Sequence, residues 1–502
     1  MMPVPTLLVP DAFLMLATMI AWVHDLVSGT RPTGTEKSSR HTYAIAIWAA
    51  AISALGYAVL ATQGHTRYFF SDMVVIDPFG LVIKACVSAG FACSLVYSKQ
   101  YLEDRGLLNG PFVLLAMFSL LGQLVMVSGH HFLMLYLGLE LMSLSLYAMI
   151  ALKSSQPARS TEAAIKYYIP GALASGFLLY GISMLYGATG SLDLADVFHA
   201  TAMAAGSAEG HMVLLFGLIF VVIGIAFKLG VVPFHMWVPD VYHGAPTAIT
   251  MLTGGTPKLT ALAWGWRILV MGLLPLVITW QKILLIFAVL SLIVGNLAGI
   301  VQKSLKRLLA YSAIANMGFV LLGLLSGVID GYVQNAGRAY SAAMFYGVVY
   351  LFTALGSFAV LAMLSHRDLD VDNADDLKGL SKRDPVLAFV MLVMMFSLAG
   401  IPPAVGFYAK LAVIESAMHA GLFGLALLAV VMSVCGAFYY LRVVKLMYFD
   451  APVKSEKSGA GARGASGARA LLVVNGVAVL VFGIVPGPLM SLCTYAVAQT
   501  FI

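Results

Sequence analysis

Four ionisable residues interrupt otherwise apolar stretches of this 502-residue chain: Glu140, Lys228, Lys258 and Lys410. Glu140 falls about nine residues into FLMLYLGLELMSLSLYAM, which is near mid-depth for a helix rising 1.5 Å per residue. Lys228 stands five residues before Pro233, Lys258 directly after Pro257, and Lys410 seven residues after Pro403. An ionisable group in hydrocarbon costs several kcal/mol unless it is paired or hydrated. An apolar helix has no packing use for one acid and three lysines. Their chemistry is proton transfer, and a proton-conducting role is the expectation; helix–helix adhesion is the plainer alternative.

Burial weakens a lysine's hold on its proton, and a neighbouring carboxylate strengthens it again. Pairing Glu140 with Lys228 would let the lysine keep a proton, and separating the two would push it towards Lys258 and then Lys410. Moving one charge against roughly 150–200 mV costs about 3.5–4.6 kcal/mol. A swing of about three pKa units, at 1.36 kcal/mol each, covers that.

Other ionisable residues are weaker candidates. Lys84 and Lys166 lie near helix ends, where snorkelling accounts for a lysine. Lys166, one turn inside KYYIPGALASG, is equally compatible with a place in the conducting line. His235 and His243 flank the Pro233 break and suit either a proton relay or a hydrogen-bonded structural role. Arg267, Lys282, Arg442 and Lys445 read as interface anchors, and His130 and His131 as solvated turn residues. Glu415 projects about 140° from Lys410 and suits a helix end. The four cysteines sit in apolar runs without metal-ligand spacing.

The elements that must position these groups follow from composition. Hydrophobic residues make up 61% of the chain and charged ones 10%, with a mean hydropathy of +0.92. Soluble domains carry about 25% charged residues, so a soluble enzyme is excluded. No nucleotide-binding loop or iron–sulfur cysteine set is present. The net charge of +6 is spread over short loops, as membrane topology demands, which speaks against nucleic-acid binding.

Apolar runs near 5–28, 42–62, 77–98, 110–129, 131–152, 160–187, 212–243, 246–273, 281–301, 304–327, 340–364, 385–419, 421–447 and 470–500 read as fourteen spans. The first lacks a basic leader and a cleavage site and counts as a span. Lys and Arg gather in alternate loops, with Arg31, Lys37, Arg40, Lys99, Arg105, Lys153, Arg159, Lys303, Lys306, Arg307, Arg367, Lys378, Lys382 and Arg383 on one side. The opposite loops hold little beyond Arg67 and Arg338. The positive-inside rule makes the first side cytoplasmic and both termini periplasmic. The low-complexity stretch Ser455–Arg469 reads as a bare connector.

Two runs are too long for one straight span and carry prolines near their middles: FKLGVVPFHMWVPDVYHGAP and FSLAGIPPAVGFYAKLAVIE. In lipid, a broken helix is tolerated only where its freed backbone groups meet protein or water. Breaks five spans apart imply two copies of a five-helix unit, inverted because five is odd, and such breaks point to a transport path. The expected fold is therefore an all-α polytopic membrane protein with 14 transmembrane helices, two inverted five-helix repeats and broken helices 7 and 12. Its parts are residues 1–109 (helices 1–3), 110–273 (helices 4–8), 281–447 (helices 9–13) and 448–502 (basic loop and helix 14).

FKLGVVPFHMWVPDVYHGAPT resembles the signature of the antiporter-like membrane subunits of respiratory complex I and of multisubunit cation/proton antiporters. AAIKYYIPGALASGFLLYGISMLYGATGSLDL, LKGLSKRDPVLAFVMLVMMFSLAGIPP and LLAYSAIANMGFVLLG are similar to the subunit N family of bacterial proton-translocating NADH–quinone oxidoreductases. The likeness runs over about residues 75–450. It implies fourteen helices, inverted repeats and a hydrated axis of charged residues. By position it gives the axis roles to Glu140, Lys228, Lys258 and Lys410, with Lys166 a further lysine of the pattern. Lys410 separates this chain from the neighbouring subunit M pattern, which has glutamate there. No long lateral helix follows the last run, unlike subunit L. Two positions depart from the pattern: His243, where VPDVYEGAPT is usual, and Ala409, where glycine is common. The resemblance further implies that NADH, FMN, Fe–S clusters and quinone belong to partner subunits, with none of these cofactors in this chain. Expected partners are subunits M, K, J and A and the bilayer of the bacterial inner membrane. A subunit of a multisubunit cation/proton antiporter is the alternative, and a structural spacer the bland one.

Overall fold

A computed structural model describes residues 4–29, 35–152, 157–204, 208–329, 331–365, 370–451 and 466–501. Arg31, Lys153, Arg367 and most of the 455–469 connector lie outside the described residues.

The chain is an all-α polytopic membrane protein. Among the described residues, twelve helices are long and apolar enough to cross a membrane. In chain order the first are α1 (Val9–Gly29), α2 (Thr35–Ala61), α3 (Pro78–Asp104), α4 (Gly110–Ser128), α5 (Phe132–Ile150) and α6 (Pro157–Thr189). A short α7 (Leu194–Ala204) precedes α8 (Ala208–Leu229), α9 (Trp237–Gly244), α10 (Thr247–Gly254) and α11 (Thr256–Trp266). Then come α12 (Val277–Val301), α13 (Leu305–Leu325), α14 (Ala336–Leu364), a one-turn α15 (Leu380–Arg383), α16 (Pro385–Ala399), α17 (Val405–His419) and α18 (Phe423–Tyr448). The last two are α19 (Ser466–Ile484) and α20 (Gly487–Phe501). Polar caps mark where the chain turns into helix: Asp77 before α3, Asn109 before α4, Ser304 before α13 and Asp384 before α16 each accept a backbone N–H of the first turn.

The runs at 212–243 and 385–419 are interrupted, between α8 and α9 and between α16 and α17. The run at 246–273 is interrupted too, at Gly255, which the sequence reading did not expect. Residues 188–211, read as a loop, contain α7. Asp193 caps it by accepting from the N–H groups of Ala195 and Asp196, while Leu194 and Val197 are fully buried. A hairpin, β1 (Arg67–Phe69) and β2 (Val74–Ile76), lies on the same face, tied to Gly129 by a backbone bridge.

Several charges sit deeper than sequence reasoning placed them. Lys84 does not snorkel: it is 2% exposed and pairs with Asp11 of α1 at 2.8 Å. Tyr57 of α2 donates to the same carboxylate, which is itself partly exposed, so one triad clips α1, α2 and α3 together. Arg267 is no interface anchor but is fully buried against Asp77. The reason is that a planar five-donor guanidinium satisfies a buried carboxylate in two parallel bonds, which makes an interior position tolerable. His130, expected to be solvated, is buried under the Tyr68 ring, because the hairpin folds over it. Arg442, half-buried, donates to the carbonyls of Ile300 and Gln302 at the end of α12.

The face bearing most of the basic residues is tied together by a loop. Between α14 and α15, Asp370 takes Arg105 at 2.7 Å and Lys306 at 3.0 Å, joining α3 to α13. Asp372 takes Arg159 of α6, His243 of α9 and the Ser304 hydroxyl. Burial alone pushes the Asp372 carboxyl up. Hydrogen bonds from His243 and Ser304, with the charges of His243 and Lys306, outweigh it and hold the group below the usual carboxylate range. One loop thus clamps both halves of the molecule at this face.

Candidate functional site

At the end of α8 the chain leaves the helix through Gly230, whose φ is +70°. A Cβ there would lie 2.8 Å from Lys258 Nζ and 2.7 Å from Val238, so only glycine fits both the conformation and the space. The last carbonyls of a helix have no intrahelical partner and carry the negative end of its dipole. Lys258, three residues past the interruption at Gly255, fills that role: its ammonium donates to Leu229 O at 2.8 Å and to Lys228 O at 3.5 Å. It lies 4.8 Å over the Trp237 ring and is 2% exposed.

The α16–α17 break repeats this arrangement. Gly400, at φ +77°, follows Ala399, and a Cβ on it would meet the Lys410 side chain at 2.7 Å. Lys410 Nζ donates to Ala399 O and to the Ser433 hydroxyl, both at 3.0 Å, and sits 5.0 Å over the Phe319 ring. Two buried ammonium groups therefore each rest on the last carbonyl before a left-handed glycine, without a carboxylate partner among the described residues. A carbonyl holds an ammonium without neutralising it, so the proton stays transferable.

Lys228 is buried one position before Leu229 and donates to Ser143 at 2.8 Å and to Tyr147 at 3.5 Å, both on α5. Glu140 lies on the same face of α5, one turn from Ser143. Its Oε1 is buried without a hydrogen-bond partner, and among the described residues it makes no ion pair within 4.0 Å. The structure thus brings Lys228 and Lys258 together at the end of α8 and rests Lys228 on Ser143, one turn along α5 from Glu140. Around Glu140, Leu133, Leu137, Leu141 and Leu144 of α5 are exposed.

The weaker candidates fall elsewhere. Lys166 is at the basic face, 2.7 Å from Glu162 and 3.1 Å from Asp240, which also takes Arg307. His243 is there too, on Asp372. His235 is half-buried in the break, and its Nδ1 has no hydrogen-bond partner among the described residues. Glu415 pairs with Arg338 at a helix end. Sequence reasoning missed Ser143, Tyr147 and Ser433, neutral hydroxyls whose only signal is an isolated polar residue in an apolar run. Among the described residues, no group of three His, Cys, Asp or Glu residues could hold a metal ion.

Comparison with known proteins decides the family. The model for the NADH:quinone oxidoreductase/Mrp antiporter transmembrane family matches residues 129–436. A Paraburkholderia phymatum protein named NADH-quinone oxidoreductase subunit N is 61% identical over 99% of this chain and 98% of its own length. The chain belongs to the subunit N family of NADH–quinone oxidoreductases. A Cupriavidus taiwanensis subunit N is 50% identical over 98% of this chain and 97% of its own. Among solved structures, a chain of Thermus thermophilus respiratory complex I superposes with a TM-score of 0.78 at 30% identity, covering 96% of this chain and 98% of that one. A chain of a Dietzia sp. Mrp complex superposes at 0.85 with 18% identity, covering 99% and 98%, and shows the fold alone. In this subunit N chain the matched segment contains Glu140, Lys228, Lys258, Lys410 and the three helix breaks. His243 lies in the same segment, with its Nε2 3.0 Å from Asp372.

Proposed function

We propose that this chain is a proton-translocating membrane-arm subunit of NADH–quinone oxidoreductase, and that its protons move along Glu140, Lys228, Lys258 and Lys410. The carrying observation is the pair of buried lysines, each resting on the terminal carbonyl of a broken helix. On this reading NADH, FMN, the Fe–S clusters and quinone are held by other subunits. Subunits M, K, J and A are the neighbours, and the exposed leucines around the unpaired Glu140 suit a protein contact through which a coupling signal arrives. The architecture that fits is fourteen spans in a bacterial inner membrane, with residues 110–273 and 281–447 as inverted five-helix repeats. The basic face is cytoplasmic and both termini periplasmic. Lys166 and His243 belong to that face's ion network, and His235 lies at the break.

The antiporter alternative requires a sodium ion to pass the same line. Sodium needs a shell of oxygen ligands, whereas this line presents three ammonium groups that repel it. The test is NADH-driven proton uptake in proteoliposomes holding the whole complex, with sodium replaced by choline. Unchanged uptake is expected. Uptake that collapses without sodium would move the chain to the antiporter class.

A further inference from the structure

Lys258 and Lys410 share a second contact besides the helix-end carbonyls. Each ammonium lies over an aromatic ring, Trp237 at 4.8 Å and Phe319 at 5.0 Å. Each ring is in turn stacked on a tyrosine. Tyr167 of α6 lies against Trp237 with centroids 4.4 Å and planes 21° apart, and Tyr346 of α14 lies against Phe319 at 5.8 Å and 13°. All four aromatic side chains are at most 4% exposed.

The two rings are held in place differently. The Trp237 indole N–H donates to the Phe227 carbonyl at 3.1 Å, which ties its ring to the end of α8 and so to the break itself. Phe319 has no polar handle, and its stacking partner supplies one: the Tyr346 hydroxyl donates to Asn316 Oδ1 at 2.7 Å. The face of an aromatic ring is electron-rich and attracts an ammonium, most strongly where water is excluded. It has no basic atom, so unlike a carboxylate it cannot take the proton it helps to hold. Lys228 lies farther from its rings, 5.5 Å from Phe227 and 5.7 Å from Tyr147, and donates to two hydroxyls instead.

We propose that Trp237 and Phe319 are positioning residues of the lysine line, each ring face standing in for the carboxylate that Lys258 and Lys410 lack among the described residues. The inference rests on the proton-translocating reading above. Four Phe319 variants of the whole complex, reconstituted in proteoliposomes, separate a ring face from a filled space. Leu and Met fill most of the volume without the face, Tyr keeps the face, and Trp keeps the strongest face but overfills the site. Space filling therefore ranks Leu and Met first and Trp last, whereas a ring face ranks Trp and Tyr above both. The readout is NADH-driven proton uptake normalised to assembled complex on a native gel, with the half-inactivation temperature of each complex measured alongside.

Phe319→Leu and Phe319→Met are expected to lose uptake at least threefold. Phe319→Tyr and Phe319→Trp are expected to keep at least twice the uptake of those two, whatever the order of the half-inactivation temperatures. Should the aromatic variants of Phe319 not assemble, Trp237→Phe against Trp237→Leu makes the same comparison at Lys258, with the same order expected. Uptake that follows volume, with Leu and Met above Tyr and Trp, overturns the proposal and makes Phe319 a space-filler. Wild-type uptake in all four variants, beside a Lys410→Ala complex that has lost it, also overturns the proposal and leaves the pumping reading standing. Wild-type uptake in Lys410→Ala as well would remove that reading and the proposal with it.

Discussion

Arg267→Leu is expected to be the most damaging single substitution for assembly, costing about 3–5 kcal/mol by stranding the Asp77 carboxylate in the interior. Arg267 donates to both Asp77 oxygens at 2.8 Å, its Nε reaches the Val127 carbonyl, and neither side chain of the pair is exposed. Asp77 also caps α3 through Gly80 N at 2.7 Å. The pair therefore joins the starts and ends of three helices at one face: α3, α4 and the π-helical turn after α11. Arg267→Lys should be a partial defect, since an ammonium lacks the flat fork that serves both oxygens and a carbonyl at once. Adding Asp77→Asn to Arg267→Leu should recover much of the loss, because the amide keeps an oxygen for the cap and carries no charge. The measurement is the yield of assembled complex on a native gel and its half-inactivation temperature. Near-normal yield for Arg267→Leu alone would mean the buried pair is dispensable.

Glu140→Gln and Lys228→Met are each expected to lower NADH-driven proton pumping at least tenfold, and the double variant to be no worse than the more damaged single. Lys228 rests on Ser143 and Tyr147 rather than on Glu140, whose Oε1 has no partner. Two unit charges need not touch to be coupled at an effective dielectric of about 20. Residues acting as one unit are strongly non-additive, so the double-mutant cycle isolates the coupling. Ser143→Ala should be milder, a few-fold, because it removes a hydroxyl that accepts from Lys228 but neither charge. Additive losses in the cycle would show that Glu140 and Lys228 act independently.

Much of this was legible in the sequence because hydrocarbon makes charge conspicuous. Glu140, Lys228, Lys258 and Lys410 stand out in their apolar runs, and Pro233 and Pro403 mark the helix breaks by residue type alone. The same reasoning erred where a charge was not at mid-depth. Lys84 and Arg267 looked like anchors because their partners, Asp11 and Asp77, lie in other segments that the sequence does not bring near them. The expected contact between Glu140 and Lys228 was replaced by Ser143 for a related reason: a serine in an apolar helix ordinarily bonds back to its own turn and gives no outward signal. Ser143 does bond back, to Leu139 O at 2.6 Å, and also accepts the lysine. The third break, at Gly255, carries Pro257 just inside the following helix, where proline reads equally well as an ordinary first-turn residue.

The central claim is that protons pass through the lysine line, and Lys258 is its narrowest point, donating to the carbonyls of both Lys228 and Leu229 at the end of α8. The most direct measurement is the number of protons taken up per NADH oxidised by proteoliposomes holding a fully assembled Lys258→Ala complex. The account predicts a ratio below that of the wild-type complex at matched assembly, with a slower turnover in coupled vesicles. A wild-type ratio and rate in an assembled Lys258→Ala complex would contradict it.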